Sequence, residues 1–282
     1  MKLLGEVLSL STQFLKDKKI AAPRLTAETL LSSVIGVKRM DLYLQFECPL
    51  EETELSIFRS YLKRASLNEP VEYILSKVEF YGVELLVSPD VLIPRQETEI
   101  LVDKVASFIK EEGSDGKVLF DLCTGSGCVG LSLKKKFPSL SAYLSDLSSA
   151  ALSYARKSAE KNELEVFFLE GDLLVPFSGK KADYVVCNPP YISLSEYEGL
   201  DHSVKGYEPK MALVGGDTGL EFYERLAQDL PGYLNSKGKV FLEIGYLQGE
   251  AVSKIFSDPC WVKKELKPDW SGKDRFFFLE IE

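Results

Sequence analysis

The feature of this sequence that most constrains its fold is the alternation of strand-like and helix-like segments from residue 117 onward. Short apolar runs such as KVLFDL, SAYLSD and DYVVC are separated by longer segments with helical periodicity. This alternation predicts an α/β fold with a doubly wound, mostly parallel sheet. The tail, WVKKELKPDW…RFFFLEI, contains two strand-like runs with no long helix between them. It predicts an antiparallel C-terminal strand pair, which completes a sheet of seven strands.

The chain before this region has a different pattern. Residues 1–75 contain only amphipathic helical segments, one of them AETLLSSVIG, for which Thr26 is the predicted N-cap. The segment EYILSKVEFYGVELLVSPDVLIPR then alternates apolar and polar residues around Gly82, which predicts a β-hairpin. We therefore expect a small helical-bundle domain at 1–75, a hairpin linker at 76–95 and the α/β domain at 96–282.

Composition excludes several classes of function. The only histidine is His202, and no two cysteines form a CxxC pair, so we expect no metal and no mechanism that needs a histidine base. The net charge of −9 disfavours direct nucleic-acid binding, which needs a basic surface. No apolar run approaches the ~18 residues of a membrane span. The N-terminus lacks a signal-peptide cleavage pattern, so we expect a cytoplasmic protein. We also expect it to be a monomer.

A glycine-rich turn follows the first strand of the α/β region. Gly125, Gly127 and Gly130 match G-x-G-x-x-G, and Asp146 follows at a distance that fits a dinucleotide site. A turn required only by tight packing is the alternative. Asp121 precedes the glycines, where a carboxylate would repel a pyrophosphate and suit a cation. S-adenosylmethionine carries a sulfonium and an ammonium and no phosphate, so it suits this turn better than a dinucleotide.

The next two strands also end in acids. Asp146 is placed to accept hydrogen bonds from both ribose hydroxyls, or to cap the helix that begins in DLSSAAL. Asp172 is placed to accept from an adenine amino group, with Leu173 supplying its backbone and an apolar wall, and a solvated turn acid is the alternative. These positions share the carboxyl edge of a parallel sheet, where open α/β folds bind ligands.

The fourth strand ends in Asn188-Pro189-Pro190-Tyr191, a rigid turn at the same edge. A planar –NH₂ group is a poor nucleophile because its lone pair is delocalised. Two acceptors in its plane, the Asn188 side-chain oxygen and the Pro189 carbonyl, would hold both N–H groups and direct electron density to nitrogen. Proline rigidity presets that geometry, and the Tyr191 ring is placed to stack on the flat group. An ordinary proline turn after a strand is the alternative.

These motifs resemble those of known families. Asp121-Leu122-Cys123-Thr124-Gly125-Ser126-Gly127 is similar to the first motif of class I methyltransferases, except that Cys123 replaces the usual first glycine. A cysteine fits that turn only if φ is negative, or at a cost in strain. NPPY resembles the motif of methyltransferases that act on planar nitrogens. The hairpin and the following PRQETE, residues 94–99, resemble the corresponding segments of the release factor glutamine methyltransferase family. APRLTAETLLSSVIG, EPKMALVGGDTGLEFYERL and LEIGYLQGE extend this resemblance over nearly the whole chain.

The resemblance implies a Rossmann-like methyltransferase fold and N5-methylation of the glutamine in the Gly-Gly-Gln loop of class I peptide chain release factors. It implies S-adenosylmethionine as donor, with S-adenosylhomocysteine as product, and a helical domain that grips the release factor. The implied catalytic residues are Asn188, Pro189 and Tyr191, and the implied substrate-binding residues are these with Pro190 and Arg95. The implied cofactor-binding residues are Asp121, Cys123, Thr124, Gly125, Ser126, Gly127, Asp146, Asp172, Leu173 and Asn188.

Other functions remain open at this point. NPPY is shared with methyltransferases that act on DNA or rRNA bases and with enzymes that modify a ribosomal-protein glutamine. An NAD-dependent oxidoreductase and a binding module without catalysis are further alternatives. Arg95 is expected to border the substrate opening, or else to anchor the linker through an ion pair.

Overall fold

A computed structural model describes residues 2–282 of the chain. Two compact units are present: the chain up to Ser76 together with Asp201–Tyr207, and Lys77–Leu200 together with Glu208–Glu282. The helices are α1 (Leu4–Asp17), α2 (Pro23–Ile35), α3 (Glu52–Ala65), α4 (Val71–Leu75), α5 (Gln96–Glu112), α6 (Cys128–Lys136), α7 (Ser149–Lys161), α8 (Leu194–Glu198), α9 (His202–Lys205), α10 (Glu221–Asp229) and α11 (Gly249–Ile255). The strands are β1 (Lys77–Phe80), β2 (Val83–Leu86), β3 (Val118–Leu122), β4 (Ser141–Asp146), β5 (Phe167–Glu170), β6 (Ala182–Cys187), β7 (Ile192–Ser193), β8 (Val214–Gly216), β9 (Leu234–Glu243), β10 (Trp261–Pro268) and β11 (Asp274–Ile281).

The first unit is a helical bundle around an apolar core that includes Leu8, Leu30 and Phe58. Helix α2 begins at Pro23, so the prediction that Thr26 caps it is wrong, and Thr26 lies inside the helix. The reason is that proline suits the first helical position, where its missing N–H leaves no hydrogen bond unmade. The same helix ends, as predicted, at a glycine: Gly36 has a φ of +73° in the left-handed region.

The second unit is built on a seven-stranded sheet with the order β10-β11-β9-β6-β3-β4-β5. Strands β9, β6, β3, β4 and β5 are mutually parallel, and β11 pairs antiparallel with both β9 and β10. The chain adds β4 and β5 on one side of β3 and then returns to add β6 and β9 on the other. The strand order thus reverses beside β3, which creates a crevice at the carboxyl ends of β3, β4 and β6. The predicted fold class is confirmed.

The sheet is covered on both faces by apolar clusters. One cluster joins β3 and β4 to α5 and α6, and the other joins β3, β6 and β9 to α10 and α11. Because both faces are buried, the central strands are almost wholly apolar, as is typical of parallel sheets. An acidic side chain on such a strand is therefore informative, and Asp121, Asp146 and Glu243 lie at or near the carboxyl ends of β3, β4 and β9.

The predicted hairpin is shorter than its apolar alternation indicates. Strands β1 and β2 pair antiparallel, with Phe80 opposite Val83. Tyr81 and Gly82 both have positive φ, +45° and +77°, as a two-residue type I′ turn requires. The segment EYIL before the hairpin forms α4 instead of a strand. The domain bounds at 75 and 95 remain predictions: the compact units divide after Ser76, and both hairpin strands belong to the second unit.

Candidate active site

A cleft opens at the carboxyl edge of the sheet, within the second unit. Its walls come from the turns after four parallel strands, from the segment that leads into α5, and from a loop before β8. The lining residues are Asp90, Val91, Leu92, Pro94, Arg95, Thr98, Asp121, Cys123, Thr124, Gly125, Ser126, Cys128, Val129, Asp146, Leu147, Ser148, Ala151, Gly171, Asp172, Leu173, Asn188, Pro190, Pro209, Met211, Ala212 and Phe222. The cleft therefore brings together most of the site residues predicted from the sequence. Three of them, Gly127, Pro189 and Tyr191, lie outside this lining within residues 2–282.

The glycines of the turn after β3 serve two different purposes. A side chain at Gly130 would place its Cβ 2.7 Å from Leu144 Cγ, and one at Gly127 would come 2.8 Å from Leu131 Cδ1. Both glycines are needed for the packing of α6, as the alternative interpretation of this turn proposed. At Gly125 a Cβ would meet no atom of the described chain within 4 Å, because the residue faces the open cleft. The backbone at Gly125 is thus exposed to a ligand.

Asp121, the penultimate residue of β3, is a buried carboxylate that lines the cleft. Its Oδ2 accepts hydrogen bonds from Thr124 Oγ1 at 2.5 Å and from the Gly130 N–H at 2.8 Å. No residue of the described chain donates to Oδ1. Because Oδ1 is also not one of the buried polar atoms that lack a hydrogen-bond partner, we infer that it is accessible from the cleft. Burial, with a smaller contribution from the charge of Asp146, raises the pKa of Asp121 to about 7 although the two hydrogen bonds oppose the increase. A cation beside Oδ1 would stabilise the carboxylate.

Cys123 adopts the backbone conformation that the sequence analysis identified as costly. Its φ is +53°, in the left-handed region that disfavours residues with a Cβ. The turn therefore keeps the geometry that a glycine would give it, and the cysteine occupies that geometry under strain of about 1 kcal/mol or more. The Cys123 side chain is half-buried and lines the cleft.

Asp146 connects two of the turns that form the cleft. Its Oδ2 accepts from the Gly125 N–H at 2.8 Å, and its Oδ1 accepts from the Ser148 N–H at 2.9 Å. The N-cap of α7 is Ser148, whose hydroxyl accepts from Ala151, so Asp146 is not the helix cap. Burial raises the pKa of Asp146, and hydrogen bonds from the Ser148 and Gly125 backbone oppose that increase. Each carboxylate oxygen keeps acceptor capacity for a further donor in the cleft.

The turn after β5 contributes Asp172 and Leu173. Asp172 Oδ2 forms an ion pair with Arg225 at 2.6 Å, between two half-exposed side chains. Leu173 is buried, with a φ of +46°. Asp172 is therefore neither a free turn acid nor reserved for a ligand, since its carboxylate already has a partner. Its predicted bond to an adenine amino group stays a prediction.

The turn after β6 is fixed by close contacts with neighbouring backbone. A Cβ at Gly215 would lie 2.3 Å from the Pro190 carbonyl oxygen, and a Cβ at Gly219 would lie 2.3 Å from that of Tyr191. The Gln248 side chain donates to the same Tyr191 oxygen at 2.9 Å. Glycines in VGGDTG thus let β8 approach the proline turn. Pro189 and Pro190 are buried and Asn188 is half-buried.

A chain of polar contacts runs beneath this turn, between α5, β6 and β9. Asn188 Nδ2 donates to Thr98 Oγ1 at 3.3 Å, and the Thr98 hydroxyl donates to Glu243 Oε2 at 2.8 Å. The Tyr191 hydroxyl approaches Glu243 Oε1 at 3.5 Å, and Tyr223 donates to the Glu243 carbonyl at 2.9 Å. Burial and the Glu243 charge raise the pKa of Tyr191. Tyr191 turns its hydroxyl toward Glu243, and its role as a wall for the substrate stays a prediction.

Sequence reasoning missed Glu243 and the role of Thr98. Both side chains are almost fully buried, at 1 % exposed. Glu243 is an acid at the end of an otherwise apolar strand, and Thr98 lies within the PRQETE segment. An acid at the carboxyl end of a buried parallel strand is the signal that would have placed Glu243 beside Asn188.

Other polar residues of the PRQETE segment are also bonded. Arg95 lines the cleft, and its guanidinium forms an ion pair with buried Glu208 at 2.5 Å. The Glu99 carboxylate accepts from the Tyr81 N–H at 2.8 Å, which joins the hairpin turn to α5. Arg95 therefore forms an ion pair, as expected if it anchors the linker, and it also lines the cleft, as expected if it borders the substrate opening.

Within residues 2–282, no cluster of three or more His, Cys, Asp or Glu side chains is arranged to hold a metal ion. Over the same residues, no helix combines the length and apolar character that crossing a bilayer requires.

Comparisons with known proteins agree with the geometry. Family models described as "PrmC N-terminal domain" and "Methyltransferase small domain" match residues 6–75 and 96–199. The chain is similar to the release factor glutamine methyltransferases of Chlamydia trachomatis serovar L2, with 41% identity over 98% of this chain and 94% of the relative, and of Bacillus subtilis (strain 168), with 38% identity over 98% and 96%. A 16S rRNA methyltransferase of T. thermophilus, solved with AdoMet and guanosine, shares the fold at a TM-score of 0.52, with 16% identity over 73% of this chain and 50% of that one. From its identity to these relatives over nearly all of its length, the chain belongs to the release factor glutamine methyltransferase family.

Proposed function

We propose that this protein transfers a methyl group from S-adenosylmethionine to the side-chain amide nitrogen, N5, of the glutamine in the Gly-Gly-Gln motif of class I peptide chain release factors. Family membership supports the reaction class and the substrate. The observation that carries the proposal is the position of Asn188. Asn188 lines the same cleft as Asp121 and Asp146, so an acceptor amide and a methyl donor can meet there.

The residues of the cleft fit S-adenosylmethionine. The open face of Gly125 gives backbone access, and Asp121 Oδ1 offers a carboxylate oxygen to a cationic group. Asp146 has acceptor capacity for ribose hydroxyls, with Thr124 and Ser126 beside it in the lining. Cys123, Gly127, Asp172 and Leu173 would complete the surroundings of the cofactor. When bound, S-adenosylmethionine supplies an electrophilic methyl group on its sulfonium.

Asn188 and Pro189 would hold the acceptor nitrogen. Asn188 Nδ2 already donates a hydrogen bond to Thr98. No residue of the described chain donates to Oδ1, and Oδ1 is not one of the buried polar atoms that lack a partner. Oδ1 is thus free to accept one N–H of the glutamine amide, and the Pro189 carbonyl would accept the other. Two acceptors in the amide plane restrict the nitrogen to one orientation and increase its electron density. Their contribution is preorganisation, because the proline turn holds both oxygens before the substrate arrives.

The remaining assignments follow from the position of the site. Pro190 and Arg95 would border the glutamine, with Tyr191 behind the amide plane, and the helical domain at 1–75 would grip the body of the release factor. The hairpin at 76–95 would join that domain to the catalytic domain at 96–282. We expect the protein to act as a monomer. The substrate places the reaction in the cytoplasm, and no step needs a metal or direct contact with nucleic acid.

Mass spectrometry of purified class I release factor, incubated with this protein and S-adenosylmethionine, tests the proposal. We expect one added methyl group on the peptide that contains Gly-Gly-Gln, located on the glutamine side chain by fragmentation, and S-adenosylhomocysteine as co-product. Parallel incubations should contain rRNA, DNA or ribosomal protein with labelled donor. Methyl transfer to one of these and none to the release factor would refute the proposal.

A further inference from the structure

The clamp at Asn188 works only if its side-chain amide points in one of two directions. An asparagine amide has a nearly symmetric shape, and a half-turn about χ2 exchanges its oxygen and its NH₂ group. With Oδ1 toward the cleft, the residue accepts from a substrate amide. With Nδ2 toward the cleft, it would present donors to a group that is itself a donor, and binding would fail. Something in the fold must therefore select the first orientation.

The Thr98 hydroxyl is the direct partner of this amide. It receives the Asn188 Nδ2–H at 3.3 Å and gives its own proton to Glu243 Oε2 at 2.8 Å. A hydroxyl has only one proton to donate. While that proton is held by Glu243, Thr98 faces Asn188 as an acceptor only, and it can bond Nδ2 but not Oδ1.

Glu243 fixes the polarity of the hydroxyl because an ionised carboxylate only accepts hydrogen bonds. The groups that face it come from several elements. Arg275 of β11 favours its charge, Glu97 of α5 disfavours it, and the Tyr191 hydroxyl donates to its second oxygen. Tyr223 of α10 donates to its backbone carbonyl, and the neutral Cys128 thiol of α6 lies nearby. Because Glu243 is only 1 % exposed, its carboxylate interacts with these few groups and not with solvent.

We propose that Glu243 and Thr98 are positioning residues that set the orientation of the Asn188 amide, so that Oδ1 faces the acceptor nitrogen. The inference rests on the proposed function, since it assigns these residues to the same clamp. The Glu243 carboxylate sets the direction of the Thr98 hydroxyl, the hydroxyl sets the orientation of the Asn188 amide, and the amide then presents its oxygen to the substrate. Neither residue needs to touch the substrate. Their effect is to exclude the flipped amide before binding.

The orientation predicts a contrast between two substitutions of Thr98. Thr98→Val keeps the shape and removes the hydroxyl, so kcat should fall roughly tenfold or more, the effect of one lost directed hydrogen bond. Thr98→Ser keeps the hydroxyl, so its kcat should stay within about threefold of the wild-type value, a smaller change than the loss of one hydrogen bond produces. S-adenosylmethionine affinity should be unchanged in both variants. Ser158→Ala, which removes a buried hydroxyl that bonds the Leu86 N–H in another part of the unit, is the matched control and should leave kcat unchanged.

Glu243 adds a pH signature that a purely structural role would not produce. Burial raises the pKa of Glu243 to about 7, and a protonated Glu243 can donate to Thr98 and release the hydroxyl to turn toward Asn188. We expect kcat at saturating donor to fall as pH decreases through about 7. In Glu243→Gln, kcat should be lower at pH 8, and this limb should be absent. At saturating donor, the cationic group beside Asp121 would keep that carboxylate ionised, so the limb in kcat reports Glu243. A wild-type pH profile in Glu243→Gln would contradict the proposal.

The orientation itself can be measured without turnover. The chain has four asparagines, so selective ¹⁵N-asparagine labelling gives four side-chain amide signals, and the one lost in Asn188→Ala belongs to Asn188. In the wild type and in Thr98→Ser, the Nδ2 protons should be protected from exchange with solvent. In Thr98→Val that protection should be lost. Identical Asn188 signals in wild type and Thr98→Val would overturn the inference.

The two proposals fail in different ways in this set of experiments. Absence of methyl transfer to release factor by the wild-type protein refutes the proposed function, while the amide spectra still decide how Asn188 is held. Normal transfer by the wild type together with wild-type kcat in Thr98→Val refutes the positioning role alone. Loss of kcat and of amide protection in Thr98→Val, with both kept in Thr98→Ser and in Ser158→Ala, is the result that the inference predicts.

Discussion

At the scale of single residues, Cys123 shows how the turn tolerates a poor choice of side chain. The residue follows β3 directly, and its φ of +53° is one that glycine adopts freely and cysteine does not. The adjacent contacts hold the turn in place: Thr124 donates to Asp121, and the Gly125 N–H donates to Asp146. The neighbouring hydrogen bonds thus offset the strain of the cysteine.

Replacing Cys123 by glycine should therefore stabilise the protein. The left-handed conformation would cost nothing in the variant, and we expect the free energy of unfolding to rise by about 1 kcal/mol, less the greater chain entropy of glycine in the unfolded state. Urea unfolding measures the change. The matched control is Cys128→Gly, at the first residue of α6, where φ is negative and no strain is relieved, so this variant should lose stability. A loss of stability in Cys123→Gly as large as that in Cys128→Gly would show that the turn is not strained.

At the scale of elements, hydrophobic periodicity predicted the fold and missed its boundaries. The strands of the sheet and the helices between them were predicted from sequence, because short apolar runs that alternate with helical segments are typical of fully buried parallel strands. The start of α2 was missed because Pro23 was not recognised as a first-turn residue, and EYIL was assigned to the hairpin although it forms α4. Local choices of this kind depend on one cap or one tertiary contact.

The packing of α6 on the sheet gives a prediction for two glycines that look equivalent in the sequence. Gly130→Ala would force a Cβ to within 2.7 Å of Leu144 and 2.8 Å of Asp121 Oδ2, and it should cost about 1–3 kcal/mol of stability through overpacking. Gly125→Ala meets no atom of the described chain within 4 Å, so its cost should be only the about 1 kcal/mol of a positive φ.

Donor affinity separates the same two variants. Gly125→Ala places a methyl group in the cleft and should weaken S-adenosylmethionine binding at least roughly tenfold, about 1.4 kcal/mol. Calorimetric titration measures it, with thermal unfolding of both variants as the stability readout. Equal stability losses in the two variants, or full donor affinity in Gly125→Ala, would contradict the division of roles between packing and ligand access.

At the scale of the whole molecule, two buried acids make stability depend on pH. Burial raises the pKa of Asp121 and of Glu243 to about 7, from ordinary values of 3.8 and 4.5. Between these values the folded protein binds protons that the unfolded chain has released. Stability is therefore expected to decrease as pH rises from about 4 to about 7 through these two groups, and to be independent of them above that range. The site keeps both charges at a cost to the fold.

Glu243→Gln should remove one of these two contributions. Between pH 4.5 and pH 7.5 its free energy of unfolding should fall by about 3 kcal/mol less than that of the wild type, the equivalent of the Glu243 pKa shift. Urea unfolding across this pH range measures the difference. The same substitution at Glu160, which is exposed on α7, is the control and should leave the wild-type curve unchanged. Parallel curves for wild type and Glu243→Gln would show that Glu243 does not titrate in this range.

The site was only partly predictable from sequence, because some of its contacts join distant parts of the chain. Asn188, Asp121 and Asp146 could be placed because each ends a parallel strand at one edge of the sheet, and the edge collects them. The partners of these residues come from distant parts of the chain: Thr98 lies 90 residues from Asn188 and 145 from Glu243. Such contacts follow from how α5 packs across the sheet, which residue spacing does not encode.

The most direct test of the account is the methyl-transfer rate of Asn188→Ala on purified release factor, measured in a single turnover at saturating S-adenosylmethionine. In the proposed mechanism, Asn188 supplies one of the two acceptors that hold the glutamine amide. We expect the rate to fall roughly hundredfold or more, as for other preorganised groups at reacting atoms, with donor affinity close to the wild-type value. Methyl transfer by Asn188→Ala at a near-wild-type rate would contradict the central claim.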